Sequence, residues 1–550
     1  MRRWARLCAP VLFVACGSSA GREDLPQASA GANGADGNGG GPGGVSSTPA
    51  SLQLTCPAPE LGKPVLRLLN RDQFTRTVQD IFPQVSGMWG NTLPSDPVSA
   101  YGFDNDSGTV VGPQLAQALL DTASAVAAAV TGSAFATILP CSANSPDRAC
   151  AEQFVTQYGR RLFRRALTQV ERDRYLSYFD GAVKKADFKT AMKWLTVGLI
   201  QSPNAVYRSE IGSPVGDARQ LDSHELATEL AYTYTGTTPS EALLAEADQP
   251  TPLDIPTLAK SLLATDAGKA TLQHFFESYL DYPRVASIER AGIAQWGAVR
   301  GPMIEETRSF IDQIVVQNGG GLKELLTSPT SNPSRDLAAY YGFPTPATDN
   351  ASIARASGQG IGLLAQGSIL ASRAQPNGSS PTQRGLLVFS RLLCNIKPSP
   401  PPNVPGIPNP LPGQVTTRQR YESQHAAQAP CSTCHRLFDP IGFGFEHFDE
   451  GGRYRQTDSG LTIDTVSDVP TSAGPPLFQF QDQESLARGL AEQSVVYQCF
   501  AAYLATYAFG SGDACLGASR VAELQSGALG IADYYGSLAA EPHFTRRSSP

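Results

Sequence analysis

Charge is scarce in this chain. Asp, Glu, Lys and Arg make up 17% of the 550 residues, and the formal balance is −7. Such a chain has no electrostatic footprint for nucleic acid. The signatures of several enzyme classes are missing too, with no GxSxG elbow after residue 54, no HExxH pair and no phosphate-binding P-loop. Asp and Glu are too scattered for a catalytic carboxylate pair to be picked out by spacing. After the N-terminal segment no run of 18 uncharged apolar residues occurs, so no later helix is long and apolar enough to span a bilayer. No convincing alternation of apolar and polar residues continues beyond four positions, which argues against a β-rich body. Methionine is almost absent. Beyond Met1 there are only Met88, Met192 and Met303.

Glycine (52) and proline (42) are abundant, while hydrophobic residues at 41% suffice for sizeable cores. The length suggests three to five compact units. Met1-Arg2-Arg3 is a basic start, and Leu7 to Ala15 is a short apolar region. Ala15 directly before Cys16 is the pattern of a lipoprotein signal, with cleavage before Cys16 and acylation of its thiol. Residues 1–16 are therefore expected to be removed. An ordinary signal peptide cut a few residues later is the alternative. Residues 17–54 are Gly-, Ala-, Asn- and Ser-rich and read as a flexible tether between lipid and folded body.

From there the pattern is helical. Leu66, Leu69, Phe74, Val78 and Ile81 form one stripe over 65–82. Further helices are expected at 113–131, 148–166, 168–181, 187–201, 221–235, 239–247, 255–264, 268–282, 302–317, 483–508 and 518–539, with Gly, Pro and Asn in the gaps. Thr168 and Glu171 form a capping box. The acidic turn Asp104–Ser107 lacks the later bidentate Glu of a calcium loop. The fold class is mainly α, a multi-module helical body with long Gly/Pro-rich loops. Modules are expected at 55–135, 148–212, 213–345, 355–465 and 475–540. Pro398 to Pro412 reads as a rigid extended connector.

The most definite chemical statement is Cys431-Ser432-Thr433-Cys434-His435. Two thiols one helical turn apart can each bond one vinyl group of a single porphyrin, and the adjacent imidazole then ligates its iron. Cys431, Cys434 and His435 are thus candidate haem c residues. Two other readings remain open: a short-loop disulfide, or half of a zinc site completed by Cys394, His425 or His447.

Several stretches together resemble the planctomycete-type surface cytochrome proteins, exported multi-module bacterial proteins with domains of unknown function. They are Leu68–Phe74 with Gly102–Asn105, Phe163–Thr168, Gly198–Pro203 with Leu221–Ala227, and Gly367 through Ser379-Ser380-Pro381, Arg384-Gly385 and the CxxCH to Gly452. Tyr507–Gly510 is a fifth. The resemblance implies a secreted helical protein with a c-type haem motif and no settled activity. His447, where the family has a small polar residue, and Ser511, where it has Arg, depart from the pattern.

Setting aside Cys8, Cys16 and the motif pair, six cysteines remain. Proximity pairs Cys141 with Cys150 and Cys499 with Cys515, leaving Cys56 with Cys394 by elimination. Such bridges suit an oxidising compartment. With methionine remote, histidine is the local choice for a second iron ligand. His425 lies six residues before Cys431, and its counterpart recurs in the resembling family. His224 reads as a helix-cap neighbour. These residues suggest an outer-membrane lipoprotein of the cell envelope, facing periplasm or cell surface, that moves electrons through one haem to an unidentified partner. The other readings are a haem-free surface scaffold with a disulfide or zinc clip, and an enzyme acting on extracellular polymers with haem as an accessory centre.

Overall fold

In the computed structural model the first helix starts later than the apolar stripe suggests. The structure describes residues 61–549 apart from 88, 106, 107, 109, 399–414, 428–430, 473, 511–514 and 516. The signal peptide, Cys16, the tether, Cys56 and most of the proline-rich connector lie outside the described residues. Val65–Leu68 forms a strand, β1, and helix α1 runs Arg71–Ile81. Asn70 separates them: its side chain accepts from the Gln73 amide at 2.8 Å, and the Gln73 side chain accepts from the Asn70 amide at 3.3 Å. This capping box stops the helix extending backwards. Leu66, expected on the buried stripe, is 51% exposed, while Phe74, Val78 and Ile81 are buried.

Local signals place most later elements. Pro113 opens α2 (Pro113–Val130), Asp147 caps α3 (Arg148–Phe163) and Thr168 caps α4 (Gln169–Val183). Asp187 caps α5 (Phe188–Ile200), and Asp222, inside the expected 221–235, caps α6 (Ser223–Thr235). Helix α7 spans Asp266–Leu280. The helix expected from Pro302 begins earlier, as α8 (Trp296–Ile311), with Pro302 inside it. The two last expected helices are broken. Gln483–Ala491 and Ser494–Phe509 are separate, and Val521–Ser526 and Ile531–Ser537 flank Gly527, which has φ +76°. The fold is mainly α, with short strands only. No helix among the described residues is long and apolar enough to cross a membrane.

The five expected modules build two cores. One spans Leu68 to Val206 and takes in Tyr232 of α6. The other joins α6 to α8 with the CxxCH region and the C-terminal helices, and takes in Phe103 from the first module. Strand β2 (Tyr207–Glu210) pairs antiparallel with β1, matching Val65 to Glu210. Behind this pair lies a buried ionic cluster. Glu210 receives Arg67 at 2.9 Å and Arg547 at 2.6 Å, and Arg208 reaches Glu229 at 3.4 Å. Burial pushes the Glu210 carboxyl up, but Arg67, Arg208 and Arg547 outweigh it and hold it at about 2.

The disulfides differ from the expected pairing. Cys141 is bonded to Cys150. Cys394 is bonded to Cys499, 105 residues away, so neither Cys499–Cys515 nor Cys56–Cys394 forms. Cys515 is in a disulfide of its own. Chain proximity gave the wrong partner because packing of the 388–392 turn against Ser494–Phe509 brings Cys394 to Cys499.

Candidate functional site

The CxxCH sequence is helical. Helix α10 spans Cys431–Phe443 and α9 spans Pro381–Leu387, and the two pack against each other. Asp439–Phe443 contains two helix breakers, Pro440 and Gly442. Yet Pro440 is accommodated inside α10 at the loss of one backbone hydrogen bond. Two glycines explain the close crossing. A Cβ on Gly385 would lie 1.9 Å from the Phe438 carbonyl oxygen, and one on Gly442 would lie 1.9 Å from the Pro381 carbonyl oxygen. Only hydrogen atoms fit at either position, so backbone meets backbone.

That contact delivers Thr382 of α9 to the motif. His435 and Asp439 are four residues apart on α10, hence on one face. The His435 Nδ1 lies 2.8 Å from Asp439 Oδ2, and Thr382 donates its hydroxyl to Asp439 Oδ1 at 2.7 Å. Asp439 is buried. A carboxylate there accepts, so Nδ1 carries the proton and Nε2 becomes the nitrogen with ligand character. Phe438 meets the His435 ring edge-on, with centroids 5.1 Å apart. Cys431 and Cys434 occupy the first turn of α10 as half-buried free thiols, not bonded to each other. The disulfide-clip reading therefore does not describe this structure.

Buried side chains fix the far end of α10. Arg384 of α9 donates to the carbonyls of Phe445 (3.0 Å), Phe448 (2.7 Å) and Asp449 (2.7 Å), and burial lowers its pKa to about 10. Glu446 accepts from Ser379 at 2.7 Å and Arg455 at 3.2 Å, and burial pushes its carboxyl up. Asp449 closes the following turn by accepting from the amides of Gly451 and Arg453. These contacts account for Ser379, Arg384, Glu446 and Asp449 as structural residues of the motif.

The remaining histidines are dispersed. His425 lies in the helical turn Tyr421–His425, and its side chain is outside the described residues. His447 stacks on Tyr454 at 5.4 Å, with Nδ1 2.8 Å from the Arg455 carbonyl. His224 pairs with Asp248 at 2.9 Å, and His274 lies 3.1 Å from the Tyr507 hydroxyl. Among the described residues no three His, Cys, Asp or Glu side chains are arranged to hold a metal ion. The roles of Thr382, Asp439 and the Gly385–Gly442 crossing were missed in the sequence. The one available signal was the four-residue spacing of His435 and Asp439, which is informative only once the stretch is read as helix.

Four family models match in succession. PSD3, a protein of unknown function (DUF1587), matches 67–132, and PSD5, likewise of unknown function (DUF1595), matches 150–210. PSD4, of unknown function (DUF1592), matches 221–343, and PSCyt3, of unknown function (DUF1588), matches 361–458. This is the multi-module order of one protein group, spread over well over half of the chain. The chain belongs to the planctomycete-type surface cytochrome family. Within the surface cytochrome order, the PSCyt3 stretch holds both α9 and α10, hence the whole His435–Asp439–Thr382 arrangement. Tyr507–Gly510 falls outside the four matched ranges. No curated protein and no solved structure matches the chain.

The donor set suits a covalently attached haem. It consists of two unbonded thiols at the attachment spacing, followed by an imidazole whose other nitrogen is already held.

Proposed function

We propose that this protein is an exported envelope lipoprotein that carries one c-type haem and transfers electrons to a partner at the cell envelope. The observation that carries this reading is the anchored imidazole. His435 follows two free thiols on one helix, and its Nδ1 is fixed by buried Asp439. A haem bound here would supply one-electron chemistry. Cys431 and Cys434 would hold it through thioether bonds, and His435 would ligate through Nε2. Asp439 holds the Nδ1 proton, which sets the ring orientation and raises the basicity of Nε2. Thr382 in turn fixes the Asp439 carboxylate. Stronger donation stabilises the oxidised iron and so favours a low potential. The lipid on Cys16 and the Gly-rich tether would keep this module near a membrane.

The test is to express the full chain with a cytochrome c maturation system. A pyridine haemochrome spectrum and an intact mass are recorded for the wild type and for Cys431→Ser/Cys434→Ser. One haem of added mass in the wild type, absent from the variant, supports the proposal. A folded wild-type chain with neither signal refutes it, and metal analysis of that sample then tests the zinc clip.

A further inference from the structure

We propose that the α4–α5 hairpin is a docking face for an anionic phospholipid surface. Lysine is rare here, with nine residues in 550, and four of them fall within ten positions: Lys184, Lys185, Lys189 and Lys193. Lys184, Lys185 and Lys189 are exposed and Lys193 is half-buried. Between 181 and 194 the only acid is Asp187, so this segment carries a local +3 in a chain of −7. Among the described residues none of the four lysines makes an ion pair. The nearby acids are occupied elsewhere. Asp180 is paired with Arg148 at 3.2 Å, Glu171 with Arg165 at 2.9 Å, and Asp173 accepts from Gln169 at 2.7 Å. Asp187 caps α5 through the Thr190 amide at 2.7 Å.

Large apolar side chains share the outward side. Both helices send one face into the core, through Leu176, Phe179, Met192, Leu195 and Leu199. Away from that face Tyr178 (51%) and Trp194 (39%) are exposed. Lys189 and Lys193, four residues apart, share one stripe of α5, and Trp194 lies about 100° further round the helix, also away from the core. Gly198, one turn after Trp194, faces Tyr175 of α4, where the two helices pack against each other. Indole and phenol rings flanked by lysines are the side chains suited to a headgroup layer. The rings sit at the apolar boundary and the ammonium groups lie against lipid phosphates. A polyanion without an apolar boundary would use the lysines but leave Trp194 in water. This inference does not depend on haem attachment.

The experiment uses the mature chain from residue 17, so that neither an acyl group nor the apolar signal segment with Trp4 contributes. Vesicles of phosphatidylcholine alone, or with phosphatidylglycerol, are the probe, and dextran sulfate is the soluble polyanion. Trp89 and Trp296 are buried, so Trp194 is the responsive indole of the folded body. Co-sedimentation is expected with phosphatidylglycerol vesicles at low salt and not with neutral ones, together with a blue-shifted emission that Trp194→Phe removes. Lys184→Gln/Lys185→Gln/Lys189→Gln/Lys193→Gln should weaken binding at least about tenfold. All four lysines lie on the surface, and an unchanged circular dichroism spectrum verifies the fold. The proposal is overturned by absence of sedimentation at low salt, by an unweakened lysine variant, or by an emission that does not shift on vesicles. Binding to dextran sulfate as tight as to vesicles overturns it as well.

Discussion

The crossing of α9 and α10 can be tested by adding a single methyl group. Gly442→Ala puts a Cβ 1.9 Å from the Pro381 carbonyl oxygen, where ordinary contact begins at 3.4 Å. The obstacle is backbone, which cannot rotate aside, so the helices must separate by about 1.5 Å, the difference of these two distances. The Thr382–Asp439 bond of 2.7 Å would then stretch toward about 4.2 Å, past any hydrogen bond. Overpacking costs about 1–3 kcal/mol. A lost bond to a charged acceptor adds about 1.5–3 kcal/mol. A total of about 2.5–6 kcal/mol corresponds to local opening roughly 10²–10⁴-fold more frequent. Hydrogen exchange of peptides covering 381–393 and 431–449 reads this directly. Gly385→Ala should behave alike, since its Cβ meets the Phe438 carbonyl at the same distance. The control is Gly181→Ala, inside α4 with nothing within 4 Å of the new methyl. Helix propensity makes that change neutral or stabilising by up to about 1 kcal/mol. If Gly442→Ala exchanged no faster than Gly181→Ala, the backbone contact between α9 and α10 would be refuted.

Three further outcomes follow from the structure. In the haem-loaded protein, Asp439→Ala should raise the midpoint potential by about 60–120 mV, a ten- to hundredfold loss in preference for oxidised iron. An unchanged potential in a redox titration would remove Asp439 from the site. Non-reducing peptide mapping should recover Cys394–Cys499 and Cys141–Cys150, and Cys394→Ser/Cys499→Ser should lose about 4–5 kcal/mol in denaturant unfolding, as the loop spans 105 residues. Glu210→Gln should cost about 3–5 kcal/mol near pH 7 by leaving buried arginines without their acceptor. Because the folded-state pKa of Glu210 is depressed to about 2, the wild-type advantage is complete above the unfolded value of about 4.3 and disappears as pH falls from there toward 2. A deficit that persists at pH 2 would contradict this assignment.

The legible parts of the chain were local ones. Capping residues and apolar spacing placed α2 to α5 within two or three residues at either end, because both signals act within a turn or two of chain. The same logic misread 65–82, where the apolar pattern runs on through a strand that pairs only with Tyr207–Glu210, about 140 residues later. Breaker residues do not end α10 at Asp439–Phe443 either. There Gly442 serves close packing against α9, and Pro440 is tolerated because α10 is held by its neighbour.

The sequence by itself determined the family, the mainly helical class, and the order and spacing of the thiols and imidazole at Cys431–His435. These are properties of covalent order and of interactions between near neighbours. Tertiary structure alone decided that five sequence modules share two cores, that Cys394 meets Cys499, and that Thr382 reaches Asp439. Each of those outcomes joins residues separated by tens to hundreds of positions. Their proximity depends on which faces bury the most apolar surface and which backbones can touch, and spacing along the chain carries no record of either.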